Sequence, residues 1–338
     1  MQTEWPRALA EGWHPIAYSN ELKNKPLAVT LMDKPLVLFR SSTGVTLLED
    51  RCPHRNVPLS VGKVIEGTIE CPYHGWRFNG HGQCTKVPGS HECVKVSAKS
   101  FAVREEGALI WACLADKPGE IPTLPPEISD SSYDSFWWQI PASESSVADV
   151  IENVLDPIHP YFMHPGLVRP RRDPQNVEID LVINAEGITA RYTEPYEGLT
   201  LLQRLIDGNR KASFGRYRAP TLVQVGFEDQ NGAHALISVF FTPISWQMAR
   251  PYPCFSTRKG RIPAWLKRLF IIAFHKPVVS QDRAMLKLQI ENTTRFGGPK
   301  YHNGPVDLFG PAIWASLNGL PTEPMHLKLR FPSQDRNE

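Results

Sequence analysis

Over its first third the chain alternates short apolar runs with polar turns, and further on the runs lengthen. PLAVTLM (26–32) and KPLVLFR (34–40) read as strands split by a turn at Asp33-Lys34. GVTLLED (44–50) follows a Ser-Ser-Thr-Gly turn. GWRFNGHGQCTKVPG (75–89) carries the hairpin signal Asn79-Gly80, and ALIWACLA (108–115) closes the β-rich unit. Residues 117–135 hold four prolines and four serines with little apolar periodicity, the mark of a linker. The expected organisation is therefore a β domain at 1–116, a linker at 117–135 and a second domain at 136–338.

Periodicity changes in the second domain. Val147, Val150, Ile151, Val154 and Leu155 recur at helical spacing, and Pro157 and Pro160 then break or kink that helix. Residues 177–193 and 213–243 read as strands of a curved antiparallel sheet. A late helix, KPVVSQDRAMLKLQIENTTRFG, puts Asp282 in its first turn or two, with Val278, Val279, Met285, Leu286 and Ile290 as a buried set. WLKRLFIIAF (265–274), flanked by Arg258, Lys259, Arg261 and Lys276, reads as a buried core helix with a basic rim, with contact at a membrane surface as the alternative. The tail from 321 reads as ordered at most in part. The fold class is α+β.

A net charge of +2 gives no argument for nucleic acid. No run reaches the length of a transmembrane helix, and the N-terminus lacks the apolar core of a signal peptide. Beyond Cys52 and Cys71, the cysteines at 84, 93, 113 and 254 are irregularly spaced and read as reduced thiols of a cytoplasmic protein.

The chemistry concentrates in two places. Cys52-Pro-His54 and Cys71-Pro-Tyr-His74 are separated by sixteen residues. A zinc finger usually pairs two cysteines on one knuckle and two histidines on a helix. Here each loop supplies one of each, which suits a [2Fe–2S] centre with two thiolates on one iron and two imidazoles on the other. A structural zinc ribbon is the competing reading. Gly75 allows close backbone approach, and Trp76 can shield one side. In the second domain Asn153, Asp156, His159 and His164 follow one another closely. Two imidazoles and a carboxylate make the facial triad of non-haem Fe(II) enzymes. From the residues alone the carboxylate is open among Asp282, Asp307, Glu291 and Glu152.

These motifs, in this order, resemble the Rieske non-haem iron oxygenases, and the likeness covers nearly the whole chain. It rests on Cys52-x-His54 with Cys71-x-x-His74-Gly75-Trp76, on Asn153-x-x-Asp156-x-x-His159-x₄-His164, and on Gln281-Asp282. The resemblance implies an all-β Rieske domain followed by a helix-grip (START-like) catalytic domain with an antiparallel sheet. It implies that Cys52, His54, Cys71 and His74 bind the cluster and that His159, His164 and Asp282 bind mononuclear Fe(II). Asp156 would be the aspartate that bridges to a cluster histidine of a neighbouring subunit, and Asn153 a pocket residue near the iron. It further implies a head-to-tail homotrimer, a small organic substrate, and O₂ with electrons from NAD(P)H through a ferredoxin or flavin reductase. The single-subunit monooxygenase and O- or N-demethylase branch is the nearest in style, with ring dioxygenation left open.

The rival function is electron transfer alone. Respiratory Rieske loops carry an extra cysteine pair, whereas the matching sites here are Val57 and Tyr73. Candidate walls of a substrate pocket are Val150, Leu155, Phe162, Val168, Tyr217, Phe227 and Phe240. The run Arg169-Pro170-Arg171-Arg172 reads as a solvated loop. The aromatic stretches Phe136-Trp137-Trp138, Phe240-Phe241 and Trp246 read as core.

Overall fold

The computed structural model describes residues 4–169, 177–193, 210–320 and 323–330. Contacts divide the chain into two units. One comprises Leu9–Thr123 with Thr242–Trp246, and the other Met1–Ala8, Leu124–Phe241 and Gln247–Glu338.

The N-terminal unit holds two antiparallel sheets. The larger joins β1 (His14–Tyr18), β2 (Leu27–Leu31), β3 (Lys34–Ser41), β4 (Gly44–Glu49), β9 (Ser100–Glu106) and β10 (Leu109–Cys113) in the order β1-β10-β9-β4-β3-β2. The smaller is the meander β5 (Lys63–Ile65), β6 (Thr68–Glu70), β7 (Arg77–Phe78) and β8 (Cys84–Lys86). The β2–β3 turn falls one residue earlier than expected. Met32 and Asp33 take the positive φ values of 51° and 60°, as a two-residue hairpin turn requires. The Asn79-Gly80 signal lies in a longer turn, where Asn79 Oδ1 accepts from the amides of His81 and Gln83. A core of Val37, Phe39, Leu48, Leu59, Ile69 and Phe78 encloses Cys52 and Cys71.

The C-terminal unit combines one antiparallel sheet with a long helix and the shorter helices Val147–Leu155, His159–Met163 and Gly310–Leu317. Its strands are β11 (Tyr133–Trp137), β12 (Ser143–Glu144), β13 (Glu178–Asn184), β14 (Gly187–Thr193), β15 (Ala212–Arg218), β16 (Leu222–Asp229), β17 (Gly232–Ser245), β18 (Met248–Arg258) and β19 (Met325–Arg330). They run in the order β11-β18-β17-β16-β15-β14-β13-β19, with β12 also on β18. One feature differs from expectation, and one falls within the tail expected to be ordered in part. β11 begins at Tyr133, inside the segment read as linker, because its residues pair in register with Cys254–Arg258. The C-terminal tail supplies β19, which pairs with β13 from Ile183↔Met325 to Glu178↔Arg330.

The late helix differs most. It runs unbroken from Ala264 to Arg295 through Pro277. WLKRLFIIAF is its first part and not a buried core helix: Trp265, Leu269 and Phe270 are 69%, 59% and 52% exposed. Asp282 therefore lies in mid-helix, where neither capping nor the macrodipole accounts for it. Met285 is exposed and only Leu286 of the expected set is fully buried. No helix of the described residues is long and apolar enough to cross a membrane.

Gly82 shows how tightly the first unit is built. Its φ is +76°, and an added Cβ would stand 2.0 Å from the Ala98 carbonyl oxygen. Gly82→Ala is expected to cost that unit more than about 2 kcal/mol, through strain and the broken Ala98 N–H to Gly82 bond. Chemical denaturation followed by the fluorescence of Trp13 and Trp111 measures this.

Candidate metal centres and cavity

The two loops of the first motif follow the same backbone course. Cys52 N–H donates to Val57 O at 2.9 Å, and Asn56 N–H donates to Cys52 O at 2.8 Å. Cys71 N–H donates to Trp76 O at 2.8 Å, and Gly75 N–H to Cys71 O at 3.0 Å. The fifth residue of each loop is left-handed: Asn56 at φ 62° and Gly75 at φ 70°. Asparagine tolerates that conformation. The second loop has a further need for glycine, since a Cβ at Gly75 would lie 3.0 Å from Pro88 Cγ. The paired loops present their cysteines from equivalent positions, while the histidine comes third in one loop and fourth in the other.

Cys52 and Cys71 are 1% and 2% exposed. His54 is half-buried and His74 exposed. The two imidazoles meet edge to face at 4.7 Å, and Trp76 stacks on His54 at 4.3 Å. Burial pushes the Cys52 thiol up to about 11; the His54 amide opposes that shift and the adjacent Cys71 thiol adds to it. Two buried neighbouring thiols are unfavourable as free thiolates and favourable around a cation. The donor set thus fits one iron on the buried sulfurs and a second on the outer imidazoles.

The second centre arises where a helix is broken. Ser146 caps the helix Val147–Leu155 by accepting from Asp149 N–H. Asp156 leaves helical geometry at ψ 121°, as a residue before proline must. Its carboxylate then caps the next turn, accepting from Ile158 N–H at 2.7 Å and His159 N–H at 3.3 Å. His159 opens the short helix His159–Met163, and His164 ends it at φ −121°, ψ 44°. On a continuous helix residues five apart would diverge; this break lets the two imidazoles converge, with ring centroids 5.4 Å apart.

Asp282 meets both from the long helix. Its Oδ1 lies 2.9 Å from His164 Nε2 and 3.6 Å from His159 Nε2. Among the described residues, His159, His164 and Asp282 form the one set of three ligand-type side chains whose donor atoms all lie within 4.8 Å. Gln281 Oε1 accepts from His164 Nδ1 at 2.7 Å. With Nδ1 protonated, a neutral His164 turns its Nε2 lone pair toward a carboxylate oxygen. Two acceptors then face each other, which a divalent cation between them resolves. Burial lowers the proton affinity of His164, but the bonds to Asp282 and Gln281 outweigh it and the net shift is upward. His159 Nδ1 is 3.5 Å from Asp156 Oδ2. The arrangement fits a two-His, one-carboxylate site.

The competing carboxylates lie elsewhere. Glu291 pairs with Lys287 at 3.7 Å, Asp307 accepts from Gly304 N–H, and Glu152 packs against Gly310. Asn153 and Asp156 line the same cavity as the triad.

That cavity, about 280 Å³, lies between the sheet and the long helix. Alternate residues of three strands face it: Val225 and Phe227; Ile237, Val239 and Phe241; Pro251, Pro253 and Phe255. Gly215 lets the helix Val147–Leu155 close on the sheet, since a Cβ there would be 3.1 Å from Leu155 Cδ2. From the long helix, His275, Val278, Val279, Asp282 and Leu286 share one face at helical spacing. Of the wall residues expected from sequence, Val150, Leu155, Val168 and Phe227 line it. Phe162 is 58% exposed, and Tyr217 and Phe240 are buried behind the wall. Trp138 and Phe241, read as core, are lining residues. Arg169 also lines the cavity, over the Tyr161 ring; residues 170–172 lie outside the described residues. His275 and the role of Gln281 were missed, although the spacing of 275, 278, 279, 282 and 286 was legible.

Comparison with known proteins bears on both units. Residues 12–102 match the Rieske [2Fe-2S] domain, and residues 143–310 match the vanillate O-demethylase oxygenase C-terminal domain. The chain belongs to the Rieske non-haem iron oxygenase family. Over 118 residues it is 44% identical to the oxygenase component of dicamba O-demethylase from Stenotrophomonas maltophilia, covering 32% of this chain and 34% of that protein. It is 27% identical to Protein TIC 55 of Arabidopsis thaliana over 246 residues, 68% of this chain and 43% of the relative. The chain thus spans less than half the length of these relatives. Dicamba monooxygenase bound to dicamba has the same fold, with a TM-score of 0.78 at 22% identity over 92% of this chain and 97% of that one.

Glu152, one helical turn before Asp156, offers a test of the site's electrostatics. Burial first, then Asp149, Asp307 and Asp156, pushes its carboxyl from 4.5 up to about 7. The folded state therefore holds this proton more tightly, and the stability it lends is lost as pH rises through that window. Glu152→Gln should match wild type below about pH 4.5. Above about pH 7 it should gain on the order of 1–2 kcal/mol, partial exposure allowed for. Denaturant midpoints across that range measure it.

Proposed function

We propose that this protein is the oxygenase component of a Rieske-type system. It would use O₂, and electrons passed from NAD(P)H by a separate reductase or ferredoxin, to hydroxylate or oxidatively demethylate a small organic substrate. The observation that carries this reading is the His159–His164–Asp282 set opening into a largely apolar cavity. An electron carrier needs neither.

In this reading Cys52 and Cys71 hold one cluster iron, His54 and His74 the other, and His159, His164 and Asp282 the mononuclear iron. When bound, the iron centres supply stored electrons and the reduction of O₂ that puts one oxygen atom into a substrate C–H bond and the other into water. The protein's residues supply the rest. The phenylalanine and valine walls bind the ring system and exclude water. Asn153 gives the substrate a polar contact. Gln281 holds the His164 tautomer with Nε2 free to ligate. Asp156 orients His159, and its side chain is 35% exposed, which leaves an oxygen within reach of a neighbouring subunit. We propose a homotrimer for that reason and by likeness to the family.

Demethylation is the favoured outcome because residues 143–310 match the vanillate O-demethylase oxygenase C-terminal domain and a dicamba O-demethylase oxygenase component is among the relatives. A methyl group on oxygen or nitrogen, once hydroxylated, gives a hemiacetal or hemiaminal that collapses to formaldehyde and the free alcohol or amine. For a methyl ether, the substrate, O₂, two electrons and two protons give the alcohol, formaldehyde and water. A cavity of about 280 Å³ suits a substrate of one or two rings.

Metal and sulfide analysis of anaerobically purified protein tests the reading. Wild type should carry about three irons and two sulfides per chain. Asp282→Ala should lose about one iron and keep both sulfides and the cluster absorbance; a full iron content would move the ligand to another carboxylate. Zinc without sulfide would sink the proposal. Asp156→Ala should keep all its metal yet lose product formation by at least about tenfold, read as product formed per NADH consumed with a surrogate reductase. Normal coupling in that variant would remove the bridging role.

A further inference from the structure

The N-terminal part of the long helix turns one side to the cavity and leaves the other bare. At 100° per residue, Phe274, His275 and Val278 fall on the side that lines the cavity. Trp265, Leu269, Ala273 and Lys276 fall on the opposite side, within about 80° of one another. All four are exposed. Arg268 and Phe270 flank this stripe, one on each side. Trp265, Leu269 and Phe270, with Ile262 in the turn before the helix, are each more than half exposed. Apolar side chains gathered in the open on one face mark a contact surface.

The charge of the same stretch has one sign. Residues 258–281 hold six lysines and arginines and no aspartate or glutamate, in a chain whose 37 basic and 35 acidic residues nearly balance. Two of the six are taken up within the unit: Arg258 Nη1 pairs with Asp229 at 2.8 Å, and Lys267 Nζ with Asp134 at 2.7 Å. Lys259, Arg261, Arg268 and Lys276 are exposed and make no ion pair among the described residues. Arg268 lies over the Phe136 ring at 5.5 Å. Beyond Asp282 the helix mixes its signs, and Lys287 pairs with Glu144 and Glu291. The uncompensated positive charge thus coincides with the exposed aromatic and aliphatic side chains.

We propose that this stretch seats the protein on the surface of an anionic lipid bilayer. Ile262, Trp265, Leu269 and Phe270 enter the boundary between headgroups and acyl chains, and Lys259, Arg261, Arg268 and Lys276 meet the lipid phosphates. The pattern of the residues selects this occupant. A protein interface keeps lysine out of its centre. Here cations stand beside the apolar side chains on one helix face, as they do on helices that lie in a bilayer interface. A tryptophan at the end of such a stripe suits the headgroup level, where its ring is buried and its N–H stays wet. The contact is peripheral, since no helix of the described residues is long and apolar enough to cross a membrane. It leaves the cavity side of the helix turned away from the lipid.

The test sediments holoprotein with vesicles of phosphatidylcholine alone and of phosphatidylcholine mixed with phosphatidylglycerol. Wild type should bind the anionic vesicles at least about tenfold more tightly and lose most of that preference in high salt. Trp265→Gln with Leu269→Gln should weaken binding to the anionic vesicles by about tenfold. Arg261→Gln with Arg268→Gln should remove the preference for them. Cluster absorbance of each variant reports that the chain is folded. Lipids with brominated acyl chains should quench part of the wild-type tryptophan fluorescence, and Trp265→Phe should abolish that quenching. Wild type that stays in solution with both kinds of vesicle, or binding and quenching untouched by these substitutions, would overturn the proposal. So would a changed molecular mass of the lipid-free Trp265→Gln, Leu269→Gln protein in light scattering, which would give the face to a second copy of this chain. Loss of reductase-driven turnover in the arginine variant, without vesicle binding by wild type, would give it to an acidic redox protein instead.

Discussion

Both imidazoles of the catalytic unit aim Nε2 at a single carboxylate oxygen, and the surrounding structure serves that convergence. Asp156 ends one helix because Pro157 follows it, and its carboxylate caps the next turn. The same carboxylate lies beside His159 Nδ1 at 3.5 Å. His164 is 1% exposed, with Gln281 on one nitrogen and Asp282 facing the other. Such a cluster of acceptors is costly when empty and favourable around a divalent cation, because burial strengthens every charge interaction within it.

The cavity depends on a different constraint, the two-residue period of a strand. Val225, Phe227, Ile237, Val239 and Phe241 are on one face of adjacent strands in register, as the pair Val225↔Ile237 shows. The long helix covers that face and brings Asp282 to its middle. A mid-helix position holds the carboxylate more rigidly than a terminal turn would, and a ligand held within a few tenths of an ångström is what a metal site requires. The outer face of the helix keeps Trp265, Leu269 and Phe270 in the open, so the apolar character of this segment serves more than its own unit's core.

In the N-terminal unit the cluster loops are two copies of one backbone motif. Each buries its cysteine under a hydrogen bond from the cysteine amide and turns back through a left-handed fifth residue. The same physical solution carries different residues, asparagine in one loop and glycine in the other, because only the second has Pro88 pressed against it.

The sequence by itself determined where the ligand-type residues lie and much of the local structure. Cys52, His54, Cys71 and His74 are legible because metal ligands must be particular residue types at spacings a short loop can span. The helix at 147–155 and the strands within 26–50, 108–115, 177–193 and 213–243 are legible because burial imposes its period on apolar positions. What only the tertiary structure decided is whatever depends on distant segments meeting. From the residues alone Asp282 was one of four open carboxylates; the family resemblance singled it out, and the long helix brings it beside both histidines. The helix itself reads as two pieces around Pro277, and only packing against the sheet shows it to be one. β19 lies in a tail whose sequence does not say which part is ordered, and its pairing with β13 decides that. Tyr217 and Phe240 sit behind the cavity wall where Trp138 and Phe241 form it, since sequence gives the alternation of a strand's faces but not which face looks inward.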